Sequence, residues 1–490
     1  MDGDEKKIKN FYDVVIIGAG ISGINSAYRV QTQLPGLSYT ILEGRGALGG
    51  TWDLFKYPGI RSDSDLFTFG FPWRPWQEQK PIADGASIVK YVRETAEMYG
   101  IDKHIQYNNM VKSSNWSSDE QSWTIEIETQ SQTRYMRANH IILSTGYYDY
   151  QTPLPVTIPG LSNFAGPIIH PQFWPSSLDY TGKKIVIIGS GATAVTLLPN
   201  LAPTASKVTM LQRSPGYLVS LPNLSTTSWW HRLTPSWLSY RLSRLRYLII
   251  PFLFFKFCRA YPSAARRALK RMTTRQLPKT IPHDPHFEPS YNPWEQRLCV
   301  CPNGDFYKCL RSGKADVATG TIREVDANGV RLESGQYIEA DIIVTATGLK
   351  IQLAGGAKLS VDNEVIPINE RFLWKGVMLQ DLPNLSFVIG YTNASWTLGA
   401  DATALLVCRL IKYMRANGIT SAAPRLEDEE ELQKRPVLNL NSTYVEAAKG
   451  DMPHAGDKGP WRARDNYFVD WWQAKFGDIK TGLQFTRVST

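Results

Sequence analysis

Twice along this chain a short unbroken apolar run leads into a glycine-rich turn. Residues 13–17 read DVVII and are followed by GAGISG, and residues 184–188 read KIVII and are followed by GSGATA. Apolar runs of this length, lacking the alternation of a half-exposed strand, predict strands buried on both faces of a parallel sheet. The turns place Gly18, Gly20 and Gly23, then Gly189, Gly191 and Ala194, at the G-x-G-x-x-G/A spacing. That spacing serves a tight turn, close approach of backbone to a pyrophosphate, and close packing of helix on strand; the helix that starts there aims its positive end at the phosphates. The pattern predicts an α/β protein with two Rossmann-like dinucleotide-binding domains, with Ala192 and Thr193 as further cofactor-binding positions in the second.

The strand after each turn separates the two ligands. SYTIL is followed by Glu43, an acid that can bond both ribose hydroxyls and repels a 2′-phosphate, so the first site suits FAD or NAD. VTMLQ is followed by Arg213 and Ser214, and a guanidinium takes a 2′-phosphate in a bidentate grip, so the second site suits NADPH. One site for each cofactor implies hydride transfer from nicotinamide to flavin. No C-x-x-C pair is present to relay electrons onward, which leaves molecular oxygen as the leading acceptor.

Two more apolar strands, HIILSTGYY (140–148) and ADIIVTATGL (340–349), end in small residues and are expected to carry the chain from the first domain to the second and back. The predicted organisation is an FAD-binding domain over 11–150, an NADPH-binding domain over 151–339 with a helical insertion at about 222–275, and the rest of the FAD domain with a tail over 340–490. Leu405, Leu406, Leu410 and Ile411 have helical spacing and predict a helix over 401–415, stopping before Asn417-Gly418.

With 490 residues, 43% hydrophobic and 20% charged, the chain has material for two or three cores and is not disordered. Its net charge of +9 is assigned to anionic cofactors, because no helix-turn-helix, finger or RNA-binding signature accompanies it; nucleic acid is not an expected partner. Five cysteines without ligand spacing predict neither a disulfide framework nor a metal site. A polar start and the lack of an apolar run of about 20 residues predict a cytoplasmic protein without a transmembrane helix. Residues 229–272 interleave aromatic and aliphatic side chains with arginines and lysines. Two readings stand for them: an insertion that buries its apolar face near the substrate cleft, which is preferred, and a helix pair lying peripherally on an anionic membrane. The acidic run 427–431 reads as a solvated face.

The segment FAGPIIHPQFWP (164–175) resembles the F-x-G-x-x-x-H-x-x-x-W-P fingerprint of type I Baeyer–Villiger monooxygenases through Phe164, Gly166, His170, Trp174 and Pro175. GGTWDLFKYPGIRSD (49–63) matches a second pattern of that family through Gly49, Gly50, Trp52, Tyr57, Pro58, Gly59 and Asp63. Segments such as YNPWEQRLCV and GYTNASWTL resemble the subgroup of ethionamide-activating monooxygenases, and the similarity covers nearly the whole chain. The resemblance implies an FAD-containing monooxygenase, dependent on NADPH and O2, that converts ketones to esters or lactones through a C4a-peroxyflavin. The alternative is oxidation of sulfur or nitrogen, as in thioethers. It implies that Arg297 is the active-site cation and Asp63 the acid that pairs with it. Gly50, Thr51 and Trp52 join Asp63 as cofactor-binding residues, and His170 is implied to be a linker residue that couples domain movement to NADPH binding. Related enzymes often carry lysine before this arginine; Gln296 stands there in this chain, so NADPH preference is expected to rest on Arg213 and Ser214. Oligomeric state is left open.

Overall fold

The computed structural model describes residues 10–223, 234–427, 431–438, 440–464 and 466–487. Trp229, most of the acidic run (428–430) and the first nine residues lie outside the described residues.

The first apolar run forms β1 (Phe11–Ile17), whose last four residues are buried. It lies between β2 (Tyr39–Leu42) and β6 (Thr133–Leu143), parallel to both, with Val15 opposite Thr40 and Ile141. β3 (Ile105–Gln106) extends the sheet beyond β2. The two halves of β6 have different partners. Its first half pairs antiparallel with β5 (Ser122–Glu128), which pairs in turn with β4 (Met110–Ser117); its last three residues pair parallel with Leu385–Phe387. A segment from late in the chain thus completes the first sheet.

The helix α1 (Ile21–Gln33) follows β1, and α5 (Trp396–Ala416) follows Leu385–Phe387. They pack together and are tied by Arg29, which bonds both carboxylate oxygens of buried Asp401 at 2.8 and 3.0 Å. The helix predicted over 401–415 therefore starts five residues earlier and is a core helix.

The second sheet is parallel throughout, in the order β10 (Ala315–Thr319), β9 (Lys207–Gln212), β8 (Lys184–Ile188), β11 (Ile342–Thr345), β7 (Ile168–Ile169). Helix α2 (Ala192–Leu201) follows β8. The boundary expected at 340 shifts accordingly: β11 is a buried inner strand between β8 and β7, so the chain leaves this sheet only after Thr345.

The small residues at the ends of β6 and β11 have a packing reason. Gly18 has φ +102° and Gly189 φ +141°; a Cβ on Gly18 would stand 2.6 Å from the Ser144 carbonyl oxygen, and one on Gly189 2.2 Å from that of Ala346. Each motif's first glycine thus rests on a strand end where the chain crosses between sheets. The two crossings run side by side. The Asp149 N–H donates to the Lys350 carbonyl at 2.8 Å, and Lys350 Nζ pairs with the Asp149 carboxylate at 3.0 Å.

Among the described residues the insertion consists of α3 (Ser236–Ala260) and α4 (Pro262–Thr274), bent by 117°. Part of its apolar surface packs inward as expected, through Tyr240, Tyr247 and Phe254, and Phe255 lines a cleft, but a second apolar stripe is left exposed. The buried residues of α3 are Ser239, Ser243, Arg244 and Cys258, whereas Leu242, Leu245, Ile249, Leu253 and Phe257 are exposed. The polar side turns inward because it has carbonyls to satisfy: Arg244 Nη1 donates to the Phe67 and Gly70 oxygens at 2.6 and 3.1 Å. Near the end of the chain, α6 (Tyr467–Phe476) packs against α5. Among the described residues no single helix is long and apolar enough to cross a membrane.

Candidate active site

The first dinucleotide groove is built on α1, which begins with no side-chain cap and no acid in its first turn. Its first N–H groups therefore keep their bonding capacity for an anion. A Cβ on Gly23 would fall 1.9 Å from the Gly18 oxygen, so helix and turn close only with glycine there. Glu43 is buried just past β2. Its carboxylate accepts the Ala19 N–H at 2.8 Å on one oxygen and the Arg45 N–H at 2.9 Å on the other. Burial raises its pKa against those two bonds, and its remaining lone pairs suit ribose hydroxyls. Gly20 and Gly50 lie close, since a Cβ on Gly50 would stand 3.1 Å from the Gly20 Cα. Thr51 Oγ1 is 3.0 Å from the Tyr150 hydroxyl, and Trp52 packs edge-on against Phe69 at 5.6 Å. An uncapped helix, a glycine floor and a buried acid fit FAD.

The second groove is more open. Helix α2 also begins without a side-chain cap, and a Cβ on Gly191 would meet nothing within 4 Å. Ala192, Arg213 and Ser214 are exposed, Arg213 and Ser214 just past β9. The Thr193 hydroxyl bonds the Tyr57 phenol from the first domain; burial nonetheless pushes Tyr57 up to about 12. These residues fit a nucleotide carrying an extra phosphate.

Arg297 stands among Tyr147, Tyr148, Tyr444 and Asp63. Its side chain is exposed to water yet densely surrounded by protein, the mark of a cation in a cleft. Burial works against its charge, but Tyr147, Tyr444, Tyr148 and Asp63 outweigh it and raise its pKa. For Asp63, burial lifts the carboxyl to about 6, while Arg61, Arg297 and a bond from the Val300 N–H pull the other way. Asp63 and Arg297 favour each other's charged form. The Val300 N–H, three residues along from Arg297, adds a smaller contribution at Asp63. Arg61 is engaged with Asp305 at 2.5 Å and with the Val300 carbonyl at 3.3 Å.

The phenols of Tyr147 and Tyr148 are 2.6 Å apart, and Tyr147 stacks on Trp396 at 4.9 Å. Burial holds both phenols in the protonated form. The loop that carries Arg297 is clasped from the C-terminal side: Gln296 Nε2 donates to the Asn441 carbonyl at 3.1 Å, and the Asn441 N–H donates to the Glu295 carbonyl at 2.9 Å. Gln296 thus has a structural role. Arg61 Nε, Trp294 Nε1 and Ser442 Oγ are buried without a hydrogen-bond partner. They adjoin Asp63, Arg297 and Tyr444 in sequence, which is spare polar capacity of the kind a bound ligand uses. A cleft open to solvent is lined by Trp294, Tyr391, Leu438, Leu440, Phe255 and Arg259.

The fingerprint segment 164–175 lies against the crossings. Phe164 is buried in the second domain, and a Cβ on Gly166 would stand 2.3 Å from the Asp341 oxygen. His170 Nδ1 accepts the Gln172 N–H at 3.3 Å, and Gln172 Nε2 donates to the Asp149 carbonyl at 2.7 Å. Burial lowers the His170 pKa, with the Gly348 backbone favouring its protonated form. His170 therefore meets the second crossing at Gly348 and the first through Gln172. Trp174 packs against the core of the second domain, next to Pro175.

Sequence reasoning missed Tyr147, Tyr148, Tyr444, Arg61 and Asp305. The GYY triplet was visible as a strand end, and its tyrosines were the available signal. Nothing local marked Tyr444 or Asp305, which reach the site through the fold.

With the geometry established, comparisons with known proteins converge. A family profile described as pyridine nucleotide-disulphide oxidoreductase matches residues 15–229; all five cysteines of this chain are free, four of them buried. Across 97% of its length the chain is similar to the solved structure described as oxidized steroid monooxygenase bound to NADP, with 99% of that chain covered, a TM-score of 0.75 and 19% identity, a likeness of fold. It is 44% identical over 479 residues to the FAD-containing monooxygenase EthA of Mycolicibacterium smegmatis, covering 97% of each chain. It is likewise 44% identical over 478 residues to EthA of Mycobacterium tuberculosis, covering 97% of this chain and 98% of the relative. At that identity over nearly the full length of both, this chain belongs to the EthA-like family of FAD-containing monooxygenases.

Proposed function

We propose that this monooxygenase is of the Baeyer–Villiger type, with the balance ketone + O2 + NADPH + H⁺ → ester or lactone + NADP⁺ + H2O. The observation that carries the reading is Arg297: a cation surrounded by three tyrosines and a carboxylate. Bound FAD, reduced by NADPH, supplies the oxygen-activating chemistry. The groove at α1, Gly20, Glu43 and Gly50 holds FAD, and Arg213 with Ser214 takes the 2′-phosphate of NADPH. Arg297 stabilises negative charge that develops beside the flavin, where a cation fixed in advance acts more strongly than in bulk water. Asp63 adjusts the field at that guanidinium.

A second reading, oxygen transfer to the sulfur of a thioether, is favoured by the phenols. Tyr147 and Tyr148 keep their protons in the cleft and are O–H donors of the kind a neutral, electrophilic oxidant needs.

The test supplies ¹⁸O2 and NADPH with a cyclic ketone, a linear ketone and a thioether, and reads product mass. One labelled atom in an ester or lactone is the expected result. Label in sulfoxide alone replaces the first reading with the second, and label in water and peroxide alone overturns both.

A further inference from the structure

We propose that α3 and α6 together form a face that docks this protein on an anionic lipid bilayer. Of the large apolar side chains that stand exposed among the described residues, seven are on α3 and four on α6, half of the total. Along α3, Leu242, Leu245, Ile249, Leu253 and Phe257 follow one another at steps of three and four. They make a single stripe about 22 Å long. The helix is apolar on both sides: Tyr240, Tyr247 and Phe254 pack inward beside Ser239, Ser243 and Arg244, while leucine, isoleucine and phenylalanine also face solvent. α6 continues the patch: Phe252 of α3 meets Phe468 edge-on at 5.5 Å, and beyond it Trp472 is 56% exposed and Phe476 65%. A contiguous apolar area of this kind marks an interaction surface.

Charge selects the occupant. Neither α3 nor α4 contains an acidic residue, and Arg241, Arg246, Lys256 and Arg259 are exposed along α3. Asp470 of α6 is bonded to Tyr391 at 2.6 Å. Arg241 lies over the Trp237 ring at 5.4 Å, Lys256 over Phe252 at 5.6 Å and Lys475 over Trp471 at 4.1 Å. This is the pattern of an interfacial helix whose cations reach headgroups while its aromatic and aliphatic side chains enter the acyl boundary. A second copy would bring like charges face to face, whereas anionic headgroups supply the opposite charge. The geometry also puts the cleft next to the bilayer, since Phe255 and Arg259 of the same helix line it. Docking itself does not depend on which reaction the cleft performs.

The experiment uses the full-length, FAD-loaded protein in flotation with vesicles of phosphatidylcholine alone and of phosphatidylcholine with phosphatidylglycerol, at low and high salt. The expected result is at least tenfold more protein on the anionic vesicles at low salt, with part of that binding lost at high salt. The combined change Leu245→Glu, Ile249→Glu, Leu253→Glu is expected to abolish flotation while flavin absorbance is retained. Arg241→Gln, Arg246→Gln, Lys256→Gln, all at exposed sites, is expected to weaken it at least tenfold; this variant decides the matter if the first one loses flavin. Absence of flotation on anionic vesicles at low salt overturns the proposal. So does binding unchanged by both variants, or a homodimer by sedimentation equilibrium that the glutamate variant dissolves while the wild type ignores vesicles.

Discussion

The two nucleotide grooves share one sequence pattern and differ in closure. In the first, Glu43 is buried and bonded to two backbone N–H groups, and the Gly50 turn lies against Gly20. In the second, Gly191 faces open space, and Ala192, Arg213 and Ser214 are exposed. A groove whose recognising acid is woven into its own turn suits a group that stays; one whose recognising cation is exposed suits a group that arrives and leaves. The contrast matches a resident flavin and an exchanging nicotinamide. Arg297 supplies a third point of interest, on a loop clasped by the C-terminal segment.

The comparison can be broken most directly at that cation. Arg297→Ala is expected to lower product formation about 100-fold or more with flavin content unchanged, read by product yield against flavin absorbance. Full activity in that variant removes the cation from the chemistry. At the closed groove, Glu43→Ala leaves two N–H groups without their acceptor, at about 1–3 kcal/mol each. It should purify largely without flavin and melt earlier, and a fully yellow, equally stable variant would show the closed groove to be irrelevant to retention. At the open groove, Arg213→Ala is expected to raise KM for NADPH about 10- to 100-fold while leaving NADH and flavin content untouched. An equal effect on both coenzymes would take the phosphate away from Arg213.

The smallest expected effect is on pH. Asp63 titrates at about 6 in the folded protein, above the ordinary value of about 4. The folded state holds that proton more tightly, so stability falls as pH rises through this window, while activity is expected to rise as the carboxylate forms beside Arg297. Asp63→Asn should flatten both trends. A melting profile and a rate profile over pH 4–8 check the two together.

Much of this was legible in advance, and for local reasons. The apolar runs, the glycines and the contrast of Glu43 with Arg213 each act within a few residues, so spacing along the chain reports them. The linker fingerprint was readable as a motif, although Gly166 and His170 meet Asp341 and Gly348, far along the chain. Where sequence reasoning went astray, the deciding contact was distant. β11 was placed outside the second sheet because nothing in IIVT says which strands flank it. α3 was expected to bury its apolar face, but one stripe stays exposed while the carbonyls of Phe67 and Gly70 draw its arginine inward.

By itself, then, the sequence determined that this chain carries two strand–turn–helix units of opposite charge preference, because steric demand at a glycine and the sign of one side chain are properties of the local chain. The tertiary structure alone decided that Tyr147, Tyr148 and Tyr444 converge on Arg297 and that a long apolar stripe faces outward. Those outcomes depend on which backbone groups remain unsatisfied when distant segments meet, and no local pattern encodes that count.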